Sequence, residues 1–384
     1  MTTGIPATPT APDRPNESAL RRLRSSWNGL SRPQQWLWMI PVAAIIFVLP
    51  VLKIPLINTE PGYPFADTMF DCARFGLAAV GLNVVVGQAG LLDLGYVGFF
   101  AIGSYVAALF TSKDSLLHHI PYLWTLPAAM VITAFFGLVL GTPTLRLRGD
   151  YLAIVTLGFG EMVRLLGSLL PPLKGQVGLQ EVGHPPGTNA NGSAIFAAGN
   201  GTPWYWLTVV VIILVLFIVG NLERSRVGRA WVAIREDEDV AQMMGVATFK
   251  FKLWAFAMGA AIGGLSGALF AGQVGFVNNQ GFDVPTSILF LAAVILGGSG
   301  NKVGVLLGAF VVVYVQHRFQ SLAAYRYLIF GVVLIVLMIF RPQGLLGARQ
   351  RLLAYGRQAY RRLIGRNEQL SSDSALTGSK GGQP

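Results

Sequence analysis

Charged side chains are scarce in this chain, and the scarcity excludes a soluble globular domain. Only 12% of the 384 residues are Asp, Glu, Lys or Arg, whereas soluble domains carry about 25%. Hydrophobic residues account for 53%, and the mean hydropathy is +0.55. Such a chain cannot cover itself with a polar surface, and it is too apolar to be disordered over most of its length. The composition predicts an all-α polytopic membrane protein.

Cysteine and metal-ligand patterns are also missing. Cys72 is the only cysteine, which excludes an intramolecular disulfide and disfavours a cysteine-based metal site. The four histidines, His118, His119, His184 and His317, lack the spacing of metal ligands. The sequence therefore predicts no metal and no cofactor bound by this chain.

Common catalytic motifs are absent as well. The sequence contains no phosphate-binding loop of the form G-x-x-x-x-G-K-[ST], no H-E-x-x-H and no G-x-S-x-G. A membrane-embedded enzyme would have to use the carboxylates of Asp71, Asp93 or Glu161, which have no convincing catalytic partners. We therefore predict no catalytic residues. If transport here consumes ATP, a partner subunit must bind and hydrolyse it.

Ten apolar stretches approach the roughly 20 residues that a helix needs to cross a bilayer. The eighth and ninth are short, so either can be a broken or re-entrant helix rather than a full crossing. The predicted spans are Trp36–Leu56, Thr68–Val86, Leu94–Thr111, Leu123–Leu140, Tyr151–Leu170, Trp204–Gly220, Leu253–Ala271, Pro285–Leu296, Val303–Val315 and Tyr327–Phe340.

The distribution of basic residues tests this number of spans. With ten spans both termini share a side, and 22 of the 29 Lys and Arg residues fall on that side. The positive-inside rule then places both termini in the cytoplasm. With one span fewer or one more, the basic loops would no longer fall on one side of the membrane, so ten spans are favoured over nine or eleven. The net charge of +11 is thereby explained without a nucleic-acid partner.

Two tails flank a predicted transmembrane domain of residues 36–341. Residues 1–35 place leucines and Trp27 at helical spacing beside arginines, which predicts a basic helix on the inner leaflet. Residues 342–384 begin with a similar basic segment and end in a Ser- and Gly-rich stretch predicted to be disordered. Both basic segments are interpreted as anchors on membrane lipids, with a regulatory role as the alternative.

Glycine is concentrated inside the predicted spans. Small residues let helix backbones approach closely in lipid, which accounts for most of these glycines. The clusters Gly87–Gly90 and Gly297–Gly300 can in addition break helices where a transport pathway passes. Asn83, Gln88 and Asp93 add polar groups near the first cluster, either as structural groups or along the route.

Two ion pairs are predicted inside spans. Asp71 and Arg74 are three residues apart, and so are Glu161 and Arg164, a spacing that places each pair on one helix face. A charge at the bilayer centre costs about 2.5–3.5 kcal/mol on insertion scales. We therefore expect each pair to neutralise itself and to face the bundle or a polar cavity. Structural ions and groups along the solute route both remain open.

The most polar internal stretch, residues 222–252, is predicted to form a cytoplasmic loop between spans six and seven. The acidic run Glu236–Asp239 suits the N-terminus of a short helix, and Gly245 is placed to end it. Two short amphipathic faces recur in the loop: Ala230, Trp231 and Ile234, then Val240, Met243 and Met244. The pattern predicts either a docking surface that presents Met and Trp to the cytosol or a solvated connector.

Three segments closely resemble LivM-type permeases of branched-chain amino-acid ABC transporters. They are residues 81–98 (GLNVVVGQAGLLDLGYVG), residues 145–161 (LRLRGDYLAIVTLGFGE) and the cytoplasmic stretch Gly228–Gly245, which resembles the importer loop that docks the ATPase. Residues 296–308 and 341–345 fit the family too. The resemblance extends from about Trp36 to Leu346.

This resemblance implies an ABC importer permease fold, multi-pass in the bacterial cytoplasmic membrane, that translocates branched-chain amino acids. It implies three kinds of partner subunit: a homologous LivH-type permease, two ABC ATPase subunits that bind the ATP, and an external solute-binding protein. Residues 92–96 are more similar to this branch than to the sister branch for urea and short amides. Residues 174–179 depart from the family's T-G-G-x-x-G-I-type stretch, so the urea and amide branch remains an alternative, as does a secondary transporter or channel.

The resemblance also implies roles for individual residues in an alternating-access mechanism. Docking of the ATPases is predicted for Arg229, Trp231, Ile234, Glu236, Met243, Met244 and Gly245. The translocation pathway or its supporting shell is predicted to contain Asn83, Gln88, Asp93, Tyr96, Glu161 and Arg164.

Overall fold

The computed structural model describes residues 64–113, 115, 120–147, 149–188 and 194–318, with a few isolated positions outside these ranges. The ranges belong to one unit of the chain, Lys53–Pro384. The first predicted span and both tails lie outside the described residues. The tenth predicted span lies outside them too, apart from isolated positions.

Ten α-helices follow one another in the described ranges, and we number them in chain order. They are α1 Phe65–Leu82, α2 Val97–Thr111, α3 Tyr122–Thr144, α4 Asp150–Leu169, α5 Gly201–Arg224, α6 Arg226–Glu236, α7 Glu238–Met243, α8 Thr248–Val274, α9 Val284–Gly297 and α10 Lys302–Arg318.

Eight of these helices coincide with the second to ninth predicted spans. Six helical segments are long and apolar enough to cross a membrane. They correspond to α1, α3, α4, α5, α8 and α9, and their ends differ from the ends of these helices by at most six residues. The helix α2 is apolar but shorter. The described part of the chain is therefore a multi-pass helical membrane protein, and the total of ten spans stays a prediction.

The core of the bundle is formed by α1 and α8, which are mostly buried along their length. The helix α8 packs against α1, α2 and α3, while α1 also contacts α5, α9 and α10. Ser104 on α2 donates to the Gly267 carbonyl of α8 at 2.9 Å. Such contacts need small residues on both helices, because in lipid close backbone packing replaces the hydrophobic effect as the source of association.

The central helix α1 is interrupted at its C-terminal end. After Leu82 the chain forms one π-helical segment, Asn83–Gln88, and then runs without helical structure to Tyr96. Gly90, in the left-handed region at a φ of 73°, turns the chain there, which glycine adopts without steric cost. The predicted helix break at Gly87–Gly90 is confirmed.

A second break separates α9 from α10, as the cluster Gly297–Gly300 predicted. Gly298 and Gly300 have φ values of 99° and 87°, so both need the freedom of glycine. A Cβ at Gly300 would also lie 2.9 Å from the Arg235 guanidinium. This break therefore meets the loop between α5 and α8.

At the opposite end of the bundle, the connection from α4 to α5 folds over the helix ends. Leu179 pairs in an antiparallel bridge with Val277, and Lys113 forms an ion pair of 2.7 Å with Glu181. The Glu181 carboxylate accepts this hydrogen bond and raises the pKa of Lys113. Both side chains are largely exposed, so the pair contributes little to stability.

Candidate functional site

The polar loop between α5 and α8 folds into two short helices, α6 and α7, each with a side-chain cap at its start. The Ser225 hydroxyl accepts from the Val227 amide at 3.1 Å, and the Asp237 carboxylate accepts from the Val240 amide at 3.0 Å. These caps satisfy amides that have no partner inside the helix. Gly245, at a φ of 86°, follows the end of α7. The predicted pair of helices in this loop is confirmed.

One side of α6 is anchored on the bundle. Trp231 is only 1% exposed, and its Nε1 donates to the Phe251 carbonyl on α8 at 2.8 Å. Ile234, one turn further on, is also buried. The prediction that the tryptophan faces the cytosol is therefore wrong, because the apolar face of α6 is used against the chain's own α8. Trp231 and Ile234 position the loop and are not available as contact residues.

The exposed part of the loop lies on α7 and the turn after it. Met243 and Met244 are 78% and 80% exposed, and Gly245 is exposed beside them. Arg229 and Glu236 on α6 are exposed as well. Five of the seven predicted docking residues thus share the accessible side of the loop, and the methionines offer its apolar, adaptable part.

Polar side chains join the break in α1 to the ends of three other helices. Gln88 donates from Nε2 to the Glu223 carboxylate at the end of α5, and the other oxygen of Glu223 binds Lys302 at the start of α10 at 2.6 Å. The Asn83 amide oxygen accepts from the Gly300 amide at 2.8 Å. The π-helical segment is therefore held by side chains in addition to its own backbone hydrogen bonds, such as that from the Ala89 amide to the Val84 carbonyl at 3.2 Å.

The segment between α1 and α2 is fixed in the same way. The Asp93 carboxylate accepts from the Gly95 amide at 2.9 Å, and the Thr156 hydroxyl on α4 accepts from the Leu94 amide at 3.1 Å. Tyr96 is fully buried, and its hydroxyl donates to the Gly259 carbonyl on α8 at 2.8 Å. Tyr96 and Asp93 therefore support the break from inside the bundle.

Both predicted ion pairs are present, but in different surroundings. Arg74 Nη2 lies 2.6 Å from Asp71 Oδ1, with both side chains largely buried, and the guanidinium lies 4.7 Å from the centre of the Phe270 ring. Arg164 Nε lies 2.9 Å from Glu161 Oε2 on α4. The Glu161 and Arg164 side chains are 36% and 31% exposed. Only this second pair opens towards a surface of the chain.

A cavity of about 320 Å³ opens beside α6 and α7. Its walls include Gly90, Leu91, Leu152, Ile234, Arg235 and Lys252. The Lys252 ammonium, at the base of α8, forms an ion pair with Glu238 on α7. The break in α1 and the α6–α7 pair therefore border one common space.

Sequence reasoning missed three residues of this region: Glu223, Arg235 and Lys302. All three contact partners that lie far away along the chain, so spacing carries no signal for them. Their position near the ends of helices was the only available hint. Among the described residues, no group of His, Cys, Asp or Glu has the arrangement of a metal site.

A buried helix that breaks within the bundle, together with an ion pair half-exposed on a spanning helix, is typical of helical membrane transport proteins. Comparison with known proteins narrows this class of protein to one family. Residues 65–339 match the family model described as branched-chain amino acid transport system, permease component. The chain belongs to this family, and the resemblance found in its sequence is confirmed.

Individual relatives agree with the family. The LivM permease protein of the high-affinity branched-chain amino acid transport system of Salmonella typhimurium is 40% identical over 291 residues, covering 70% of this chain and 67% of its own length. The Escherichia coli protein of the same name is 40% identical over 289 residues, with the same coverage. A probable LivM permease of Methanocaldococcus jannaschii is 24% identical over 311 residues, covering 76% and 88%. No solved structure matches the chain.

Proposed function

We propose that this chain is a transmembrane permease subunit of an ATP-driven importer for branched-chain amino acids. It would work beside a homologous LivH-type permease, with two ABC ATPase subunits that bind ATP and an external solute-binding protein that delivers the substrate. Membership of the permease family and 40% identity to two LivM proteins support this function.

The observation that carries the proposal is an exposed cytosolic helix pair attached to the centre of the bundle. Trp231 fixes α6 to α8 through its bond to the Phe251 carbonyl, while Met243 and Met244 stay exposed at the far end of α7. A subunit that binds this exposed end could move a rigid element that is already joined to the core. An ATPase docked there would thereby act on the membrane helices.

The route of the amino acid is proposed to follow one face of α4. The Glu161 and Arg164 side chains remain about one-third exposed in this chain, and an ion pair facing lipid tails is costly. This face would therefore meet the second permease or a water-filled passage rather than lipid. Asn83, Gln88, Asp93 and Tyr96 would form the supporting shell of the passage, because all four are buried inside the bundle.

We propose an orientation in the membrane from the distribution of charge. Both termini and the α6–α7 pair would lie in the cytoplasm of a bacterial cell, because most Lys and Arg residues would then lie inside. The tails would contact anionic lipid through their arginines. The external solute-binding protein would meet the opposite end of the bundle, where the connection from α4 to α5 lies.

Reconstitution tests the proposal. We would place the chain in proteoliposomes with a LivH-type permease, two ABC ATPases and the solute-binding protein of the same organism. Uptake of labelled leucine should require ATP and the binding protein, and isoleucine and valine should compete. Uptake driven by an ion gradient without ATPases would instead identify a secondary transporter. Competition by urea or acetamide, but not by isoleucine, would refute the substrate class.

A further inference from the structure

Arg235, near the end of α6, lies between the two glycine turns that break the membrane helices. A Cβ at Gly90 would lie 3.0 Å from Arg235 Cγ and 3.3 Å from its Cα. A Cβ at Gly300 would lie 2.9 Å from Arg235 Nη1. Both glycines have positive φ values, 73° and 87°. A side chain at either glycine would therefore crowd Arg235, and both turns have a backbone conformation that favours glycine.

The guanidinium group bonds to both breaks at once. Nη1 donates to the carbonyl oxygen of Gly87 in the π-helical segment, and Nη2 lies 3.4 Å from the hydroxyl of Ser299 in the turn between α9 and α10. Hydrogen bonds from an ionised donor are about twice as strong as neutral ones. The Gly87 carbonyl lies at the end of an interrupted helix, where backbone acceptors lack helical partners.

A direct bond joins the two breaks as well, between the Gly300 amide and the Asn83 side chain at 2.8 Å. Arg235 thus completes a three-way junction of α6, the break in α1 and the turn before α10. The body of α6 is held on α8 by Trp231. A displacement of α6 relative to the bundle would therefore act first on the Arg235 contacts, which reach across a gap between elements.

We infer that Arg235 is a positioning residue that transmits motion of the α6–α7 pair to the interrupted helix α1. In one state the guanidinium holds Gly87–Gly90 against the turn at Ser299, as described above. When α6 moves, the two turns separate or shift together, and the supporting shell of the passage changes with them. The inference rests on the proposed function, because it assumes that partner ATPases move α6. Coupling of this kind needs an element with two discrete arrangements, and the inference assigns that role to the two glycine turns.

The test uses the complete transporter complex in proteoliposomes. Arg235→Met keeps the aliphatic stem but removes every donor, and Arg226→Met is the matched control, since Arg226 is exposed on the same helix. We would measure co-purification of the ATPases, ATP hydrolysis stimulated by the loaded binding protein, and leucine uptake per ATP. Arg235→Met should keep assembly and hydrolysis while uptake per ATP falls by about tenfold. Arg226→Met should behave as wild type, and Arg235→Lys should recover part of the ratio.

Hydrogen exchange gives a readout that a purely structural role would not change. In the wild-type complex, nucleotide binding should alter the protection of residues 83–90 and 298–304 together with that of α6. In Arg235→Met, α6 should still respond while residues 83–90 no longer do. If the Arg235→Met complex does not assemble, the test rests on the wild-type complex alone. Nucleotide binding must then change the protection of residues 83–90 and 298–304 together with that of α6, and the absence of this joint change overturns the inference.

Two other results would also overturn it. One is uptake per ATP within twofold of wild type in Arg235→Met. The other is loss of ATPase binding in Arg235→Met with a normal ratio in the remaining complex, which would make Arg235 a docking residue. Failure of the proposed function looks different, because the wild-type complex itself would then show no ATP-dependent uptake.

Discussion

Gly103 lies where α2 and α8 pass backbone to backbone, and replacing it with alanine should destabilise the bundle. A Cβ at this position would lie 2.5 Å from the carbonyl carbon of Gly264 and closer still to its oxygen. These are backbone atoms of α8, so no side-chain rotation can relieve the contact. The two helices would have to move apart.

The size of the effect follows from these distances. Ordinary contact begins near 3.4 Å, so the helices must separate by at least about 0.9 Å at this point. A gap of about 0.5–1 Å already forfeits a quarter to a half of the dispersion attraction between neighbouring atoms. Overpacking costs about 1–3 kcal/mol, against a gain of about 0.5–1 kcal/mol from replacing glycine in a helix. The difference between these ranges is a net loss of about 0–2.5 kcal/mol, and the contact with rigid backbone favours the upper half of that range.

Thermal unfolding of the chain in detergent measures this loss, with monodisperse protein after heating determined by size-exclusion chromatography. Gly158→Ala on α4 is the matched control, because a Cβ there meets nothing within 4 Å. The control should unfold at the wild-type temperature or above, and Gly103→Ala clearly below it. Equal midpoints for the two variants would refute the close-packing explanation of glycine in this bundle.

Two further outcomes are expected. Tyr96→Phe removes the 2.8 Å bond to the Gly259 carbonyl and should lower stability by about 0.5–1.5 kcal/mol, whereas Tyr151→Phe, at a side chain 71% exposed, should leave the unfolding midpoint unchanged. Trp231→Phe loses the donor to Phe251 and should speed hydrogen exchange across residues 226–245, with Trp254→Phe, 52% exposed, as control. Equal exchange in both tryptophan variants would contradict the anchoring of α6.

The sequence predicted the elements of this protein that depend on local patterns. Apolar runs located the helices in the described ranges, glycine clusters located both breaks, and the spacing of three residues located both ion pairs. Hydropathy, backbone freedom and helical periodicity act over a few residues, so a single sequence contains them. The helix α7 was predictable for the same reason, because acidic residues at its start and a glycine after its end can be read directly from the sequence.

The sequence pattern of α6 could not predict which partner its apolar face packs against. An amphipathic helix needs a partner for its apolar face, and the pattern is the same whether that partner belongs to the chain or to another subunit. Here Trp231 faces the chain's own α8. The contacts of Arg235 with Gly87 and of Gln88 with Glu223 join segments 148 and 135 residues apart. Only the tertiary packing brings such groups together.

The two ion pairs have a consequence for how the polypeptide enters the bilayer. Each acid and its base stand three residues apart on one helix, so the pair forms as soon as that helix forms. The two charges are then neutralised before the helix contacts other helices. The insertion machinery therefore inserts an ion pair, which is a dipole, and not a lone charge. Insertion of α1 and α4 therefore does not depend on a distant counter-ion, and either helix meets a lower cost in lipid than it would with a lone charge.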